Sequence, residues 1–121
     1  MTKAGIDTSV LIGLLDPKDI WHDSATTLKN ALQAHQVEVA IFDCVLAGDL
    51  RVDVLWILPD VPALYDDVVE LVRSSKGELN FHDALIALSC RSREIPFIAS
   101  FDGDFDNVAW LQRLAEPDDL P

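Results

Sequence analysis

The sequence predicts an α/β protein of three layers, with helices on both faces of a central, mostly parallel sheet of four to five strands. Three observations carry that expectation. Short apolar runs, several rich in β-branched residues, alternate along the chain with segments whose apolar residues recur at helical spacing. The strand-like runs are apolar nearly throughout, as strands buried on both faces are. Two of them, Ala4-Gly5-Ile6 and Phe97-Ile98-Ala99, lead directly into acidic turns, at the edge where a parallel sheet opens its ligand crevice.

Taken in order, Ala4 to Ile6 is the first strand, and Thr8 or Ser9 can cap a helix that buries Val10, Leu11, Leu14 and Leu15 before Asp16-Pro17 ends it. From about Asp23 to Ala34 the residues Ala25, Leu28, Ala31 and Leu32 mark one face of an amphipathic helix. Val37 to Phe42 reads as the second strand. Asp43 can cap a short helix, Cys44 to Leu50, and Val52 to Leu58 is a third strand closed by a turn at Pro59 and Pro62. Leu64 to Arg73 is helical and broken by Gly77, and Phe81 to Arg91 is a helix apolar enough to sit at the centre of the core. Ile95 to Ser100 is the fourth strand, and Val108 to Leu114 fits strand or helix.

A chain of 121 residues, half of them hydrophobic, suits one domain, 1–121, with an acidic tail from about 115. No apolar run reaches the length of a membrane span, and no secretory leader pattern opens the chain. The expectation is a cytoplasmic protein with no membrane partner. Cys44 and Cys90 lie in apolar stretches without metal-ligand spacing and read as small buried hydrophobes. The formal net charge of -12 argues against a broad basic face for nucleic acid. It leaves room for an enzyme whose divalent cations bring positive charge to phosphate.

Three separate segments place acids at one predicted edge: Asp7 after the first strand, Asp83 in the first turn of the Phe81 helix, and Asp102 and Asp104 after the fourth strand. Each alone has an ordinary structural account. Asp83 stands three residues after Asn80, the spacing of a capping box, and Asp7, Asp104 and Asp106 are common turn or cap residues. Together they would repel one another and raise each other's pKa unless a cation sits among them. A hard divalent cation with oxygen ligands resolves that repulsion and can activate water against a phosphodiester. The three histidines have no ligand spacing among them, and Trp21, Trp56 and Trp110 read as core or interface anchors ahead of any base-stacking platform.

The stretches Ile6-Asp7-Thr8-Ser9-Val10-Leu11-Ile12, Phe81-His82-Asp83-Ala84-Leu85-Ile86-Ala87 and Ala99-Ser100-Phe101-Asp102-Gly103-Asp104-Phe105 strongly resemble, in order and spacing, the motifs of PIN domains, the fold of the VapC-type toxins. The resemblance spans nearly the whole chain. It implies a metal-dependent ribonuclease with Asp7, Asp83 and Asp102 as catalytic ligands of Mg2+ or Mn2+. Asp104 is then an auxiliary metal-binding acid, and Ser100, Thr8 and Asp49 are auxiliary polar residues. It also implies an RNA substrate, a homodimer and an antitoxin partner.

The sequence departs from the family in the stretch Val45-Leu46-Ala47-Gly48, where members usually carry a glutamate at the last position. Asp49 is one step further along, and Asp43 about a turn earlier. The chain also reaches Arg51-Val52-Asp53-Val54 without the helical pair that family members usually insert. These departures motivate a second reading, a PIN-like domain that binds protein or RNA without efficient cleavage. A dehalogenase-type phosphatase would need a second aspartate where Ser9 stands, and a receiver domain would need an acidic pair before the first helix and a late lysine.

Overall fold

A computed structural model of the chain describes residues 2–42, 53–55 and 57–121. Among the described residues, β1 (Lys3–Ile6), β2 (Glu38–Phe42), β3 (Asp53–Leu55), β4 (Phe97–Ala99) and β5 (Gln112–Leu114) form one sheet in the order β3-β2-β1-β4-β5. Every neighbouring pair runs parallel. The helices are α1 (Thr8–Leu15), α2 (His22–Ala34), α3 (Val61–Ser74) and α4 (Phe81–Ser92).

Side chains alternate across a strand, so each strand serves two cores. Ala4, Ile6, Ile41, Ala99 and Leu114 join Val10 and Leu11 of α1 and Ala25, Leu28 and Leu32 of α2 in one apolar cluster. Phe42 and Ile98 join Val68 of α3 and the buried face of α4 in the other. Helices therefore cover both faces. The deepest of them is α4, buried without a break from Asp83 to Cys90.

Two glycines permit close approaches. A Cβ on Gly5 would lie 2.8 Å from the Phe42 ring and 3.2 Å from Ile98, so the ring occupies the space that a side chain on the central strand would need. A Cβ on Gly13 would lie 3.0 Å from that of Ala25 and 3.2 Å from the Trp21 carbonyl. The carbonyl of Gly13 lies 2.7 Å from His22 Nδ1 and can only accept, which makes Nδ1 the protonated ring nitrogen.

Three helices end alike. Gln36, Lys76 and Glu94 take positive φ of 56°, 57° and 56° just past α2, α3 and α4. After each, the next residue's N–H reaches back five residues: Val37 to Leu32, Gly77 to Val72, and Ile95 to Cys90. These are Schellman closures that satisfy the last carbonyls of each helix.

Several boundaries differ from expectation. Among the described residues the third strand covers Asp53–Leu55, and Leu58–Asp60 forms a 3-10 turn that feeds α3. Pro62 lies inside the first turn of α3, where a missing N–H has no intrahelical partner to lose, so it starts that helix and does not mark a turn before it. The last segment is a strand at the sheet edge. The helix cap expected from Thr8 or Ser9 falls to Asp7, whose side chain makes no cap bond, and the Ser9 hydroxyl bonds elsewhere. The short helix expected from Cys44 to Leu50 lies outside the described residues, as do Asp43, Gly48 and Asp49.

We expect Gly5→Ala to lower unfolding free energy by about 1–3 kcal/mol, since the added methyl overpacks against a buried ring. Denaturant titration measures this. Adding Phe42→Leu should make the double variant lose less than the sum of the single losses, because both sites share one space. Strict additivity would show that the contact at Gly5 is not limiting.

Candidate metal centre

From β1 the chain steps outward through β2 and β3, then returns to place β4 on the other side of β1. The carboxyl ends of β1 and β4 thus form the switch point of the sheet, where a crevice opens. Asp7 is the first residue beyond β1, and its N–H donates to the Ala99 carbonyl at 2.9 Å, extending the β1–β4 ladder by one residue.

Beyond β4, Ser100-Phe101-Asp102 turns into the 3-10 segment Gly103–Asn107. Asp102 caps that segment, its Oδ1 accepting from the Asp104 N–H at 2.9 Å, and this Asx turn sets the two carboxylates beside each other. Asp83 arrives from α4. Asn80 does the capping there, its Oδ1 accepting from the Asp83 N–H at 2.8 Å, which leaves the Asp83 carboxylate for the crevice. Asp83, Asp102 and Asp104 each offer a ligand oxygen, and these atoms all lie within 4.8 Å of one another.

Asp7 borders this trio and is anchored. Ser100 Oγ donates to Asp7 Oδ2 at 2.7 Å, and Ser9 Oγ donates to the same oxygen at 3.2 Å. Each hydroxyl also accepts: Ser100 Oγ from the Asp102 N–H at 2.9 Å, Ser9 Oγ from the Phe101 N–H at 3.1 Å. Two serines thereby tie the turn after β1 to the turn after β4. Ser100 is fully buried, and Asp7 and Asp83 are 6% and 8% exposed.

The electrostatics follow from this crowding. Burial, then the charges of Asp7, Asp102 and Asp104, push the Asp83 carboxyl from 3.8 up to about 6. The charge of Asp102 leads in raising Asp104, with smaller contributions that include Glu78. Arg113 is committed nearby, its guanidinium bonding Asp106 at 2.9 and 3.1 Å and the Ser100 carbonyl at 3.3 Å. That pairing holds Asp106 below its ordinary value.

Asp7, Asp83, Asp102, Asp104 and Ser100 thus come to one edge, as the sequence reading groups them, while Thr8 opens α1 as an exposed residue. Two participants were not foreseen. Ser9 enters the sequence reading as a cap candidate and a motif residue without a role at the site, although its place two residues after Asp7 lets its hydroxyl reach back. Glu78 carries no motif and reaches Asp104 only through the fold. Of the tryptophans, Trp110 is a core anchor, donating to the Ala87 carbonyl at 2.7 Å beneath the Arg91 guanidinium. Trp21 is 44% exposed and stacks on Phe101.

Comparison with models of protein families, with curated proteins and with solved structures finds no match. The site itself defines a class: an α/β protein with three carboxylates at its sheet switch point, close enough to hold a metal ion. All-oxygen, anionic donors suit a hard divalent cation such as Mg2+ or Mn2+, and an ion there offsets the repulsion that raises Asp83.

Two outcomes are expected. The displaced Asp83 pKa separates its protonation states by on the order of 3 kcal/mol. Its folded value lies above its unfolded one, so its ionisation opposes folding: the effect is absent below about pH 4, grows to about pH 6 and is complete above. In metal-free buffer Asp83→Asn should therefore be more stable than the native chain at pH 7, with the gain vanishing towards pH 4; equal stability at both would remove the repulsion argument. Ser100→Ala leaves Asp7 Oδ2 with only the longer bond from Ser9 and the Asp102 N–H without its acceptor, and should lower stability by about 1–3 kcal/mol and weaken Mn2+ binding measured by calorimetry.

Proposed function

We propose that this chain is a PIN-type ribonuclease that hydrolyses RNA phosphodiesters with Mg2+ or Mn2+, acting as the toxin of a toxin-antitoxin pair. The observation that carries the reading is the convergence of Asp83, Asp102 and Asp104, bordered by Asp7, at the carboxyl ends of β1 and β4. The motif resemblance converges on the same residues. A parallel sheet covered by helices on both faces is also the layout that the resemblance implies.

Divalent cation held there would supply a water of lowered pKa and neutralise charge on the scissile phosphate. The chain's own groups have distinct tasks. Asp83, Asp102 and Asp104 provide the oxygen donors, and the Asx turn at Asp102 fixes the spacing of two of them. Ser100 and Ser9 fix the rotamer of Asp7 through its Oδ2. Asp83 carries a proton that must leave before a cation is bound, so cation affinity should weaken as the pH of the metal-free protein drops through about 6.

The motif resemblance also brings the proposal of a homodimer held inactive by an antitoxin. The second reading, a PIN-like binding module, draws on Gly48 standing where the family usually has glutamate.

Single-stranded RNA incubated with Mn2+ or Mg2+ tests both readings. The native protein should cut it, chelator should stop the reaction, and Asp102→Asn should lower the rate by at least about 100-fold. Cleavage only after Gly48→Glu would assign the native chain to the binding-module reading. Cleavage that survives chelation would remove the metal mechanism.

A further inference from the structure

We propose that the stacked pair of Trp21 and Phe101 is a platform that seats an unpaired base of single-stranded RNA beside the carboxylate cluster. The proposal rests on the nuclease reading for its ligand class. Its geometry is independent of that reading.

The two rings lie 4.9 Å apart between centroids and 14° from parallel. Phe101 is the residue between Ser100 and Asp102, so the stack is joined through the backbone to the metal-binding turn. Both partners are held in place. The Phe101 N–H donates to Ser9 Oγ, the Trp21 N–H donates to Asp19 Oδ1 at 2.8 Å, and the Trp21 carbonyl accepts from Ala25 at 2.8 Å. Gly13 leaves α1 close enough to fix the turn that carries Trp21. A rigid aromatic surface loses little entropy on binding.

Trp21 belongs to neither apolar cluster, whereas Phe101 packs against the α1/α2 core. The indole is thus supported from below and open to solvent. A groove of about 420 Å³ runs beside the pair, lined by Trp21, Phe101, Asp23, Thr27, Glu116 and Pro117. Its charged lining residues are acids, so it repels phosphate and favours a neutral ring with hydrogen-bond donors on its edge.

The charge balance leaves affinity for the proposed substrate to contacts other than surface charge. With nine Lys and Arg against 21 Asp and Glu, the chain has little counterion-release affinity for a polyanion. Stacking contributes about 1–3 kcal/mol per base regardless of protein charge. A cation held by the cluster would neutralise the phosphate, and the aromatic pair would meet the base.

The test is fluorescence anisotropy with a labelled single-stranded RNA of about eight nucleotides and an abasic strand of equal length, in Ca2+ to neutralise the carboxylates. The abasic strand on the native protein, and the RNA on Trp21→Ala, should each bind roughly tenfold more weakly than RNA on the native protein, while Trp21→Tyr stays within about threefold. Mn2+ affinity should be the same in all three proteins.

Equal binding by Trp21→Ala, or by the abasic strand, overturns the proposal. So does a native protein that binds no RNA but forms a dimer that Trp21→Ala dissociates in sedimentation, since the patch is then a protein interface. Cleavage is scored separately. Trp21-dependent binding without cation-dependent cleavage keeps the platform and removes the nuclease, and cleavage indifferent to Trp21 does the reverse.

Discussion

Ser100 Oγ, wholly enclosed, donates to Asp7 and accepts from the backbone of Asp102, and the geometry of the crevice depends on that single oxygen. It links two turns whose residues are 93 positions apart in sequence. The parallel pairing of β1 with β4 brings the turns near each other, but strand pairing alone does not orient side chains. The hydroxyl does so in both directions, and Ser9 repeats the device one layer out. A buried polar group with both its donor and acceptor used is a rigid part of a fold.

Against this order stands a repulsion. Burial and then the acids at the switch point raise the pKa of Asp83, and Asp102 leads in raising that of Asp104. The surrounding architecture is arranged to withstand it. Asp83 sits at the start of the most buried helix, with Asn80 taking over the cap, and its N-terminal position favours negative charge. Asp102 has its own backbone partner, and Arg113 gives its charge to Asp106 a few residues away. Apolar packing on both sheet faces holds together what the carboxylates would push apart.

Much of this was legible in the chain. The sheet followed from apolar runs separated by helical periodicity, because strands buried on both faces and helices buried on one have different patterns. The grouping of Asp7, Asp83 and Asp102 followed from placing each at a strand end or helix start. Boundaries were less legible: three helices close on Gln36, Lys76 and Glu94, residues that carry no left-handed signal, so the breaks have no glycine to mark them at that position. Pro62 misled because the same fixed φ serves a turn and a first helical turn. Ser9 was undervalued because its partner Phe101 is contributed by the far side of the sheet seam. For Trp21 the sequence left core and interface open, and its exposure removes the core alternative, because burial depends on what the fold packs against a residue.

The position of β4 in the sheet has a consequence for how the chain acquires its crevice. Its partner β1 also pairs with β2, whose residues lie much nearer in sequence than those of β4. Pairing with β4 must wait until residue 99 is available, and it closes a loop spanning most of the molecule. Asp7 therefore comes beside Asp102 and Asp104 only through this closure. The mutual repulsion arrives only with that closure, which also brings Ala99 and Leu114 into the apolar layer beneath α1 and α2. Charge that would hinder collapse if it met early is kept apart by the order of the strands.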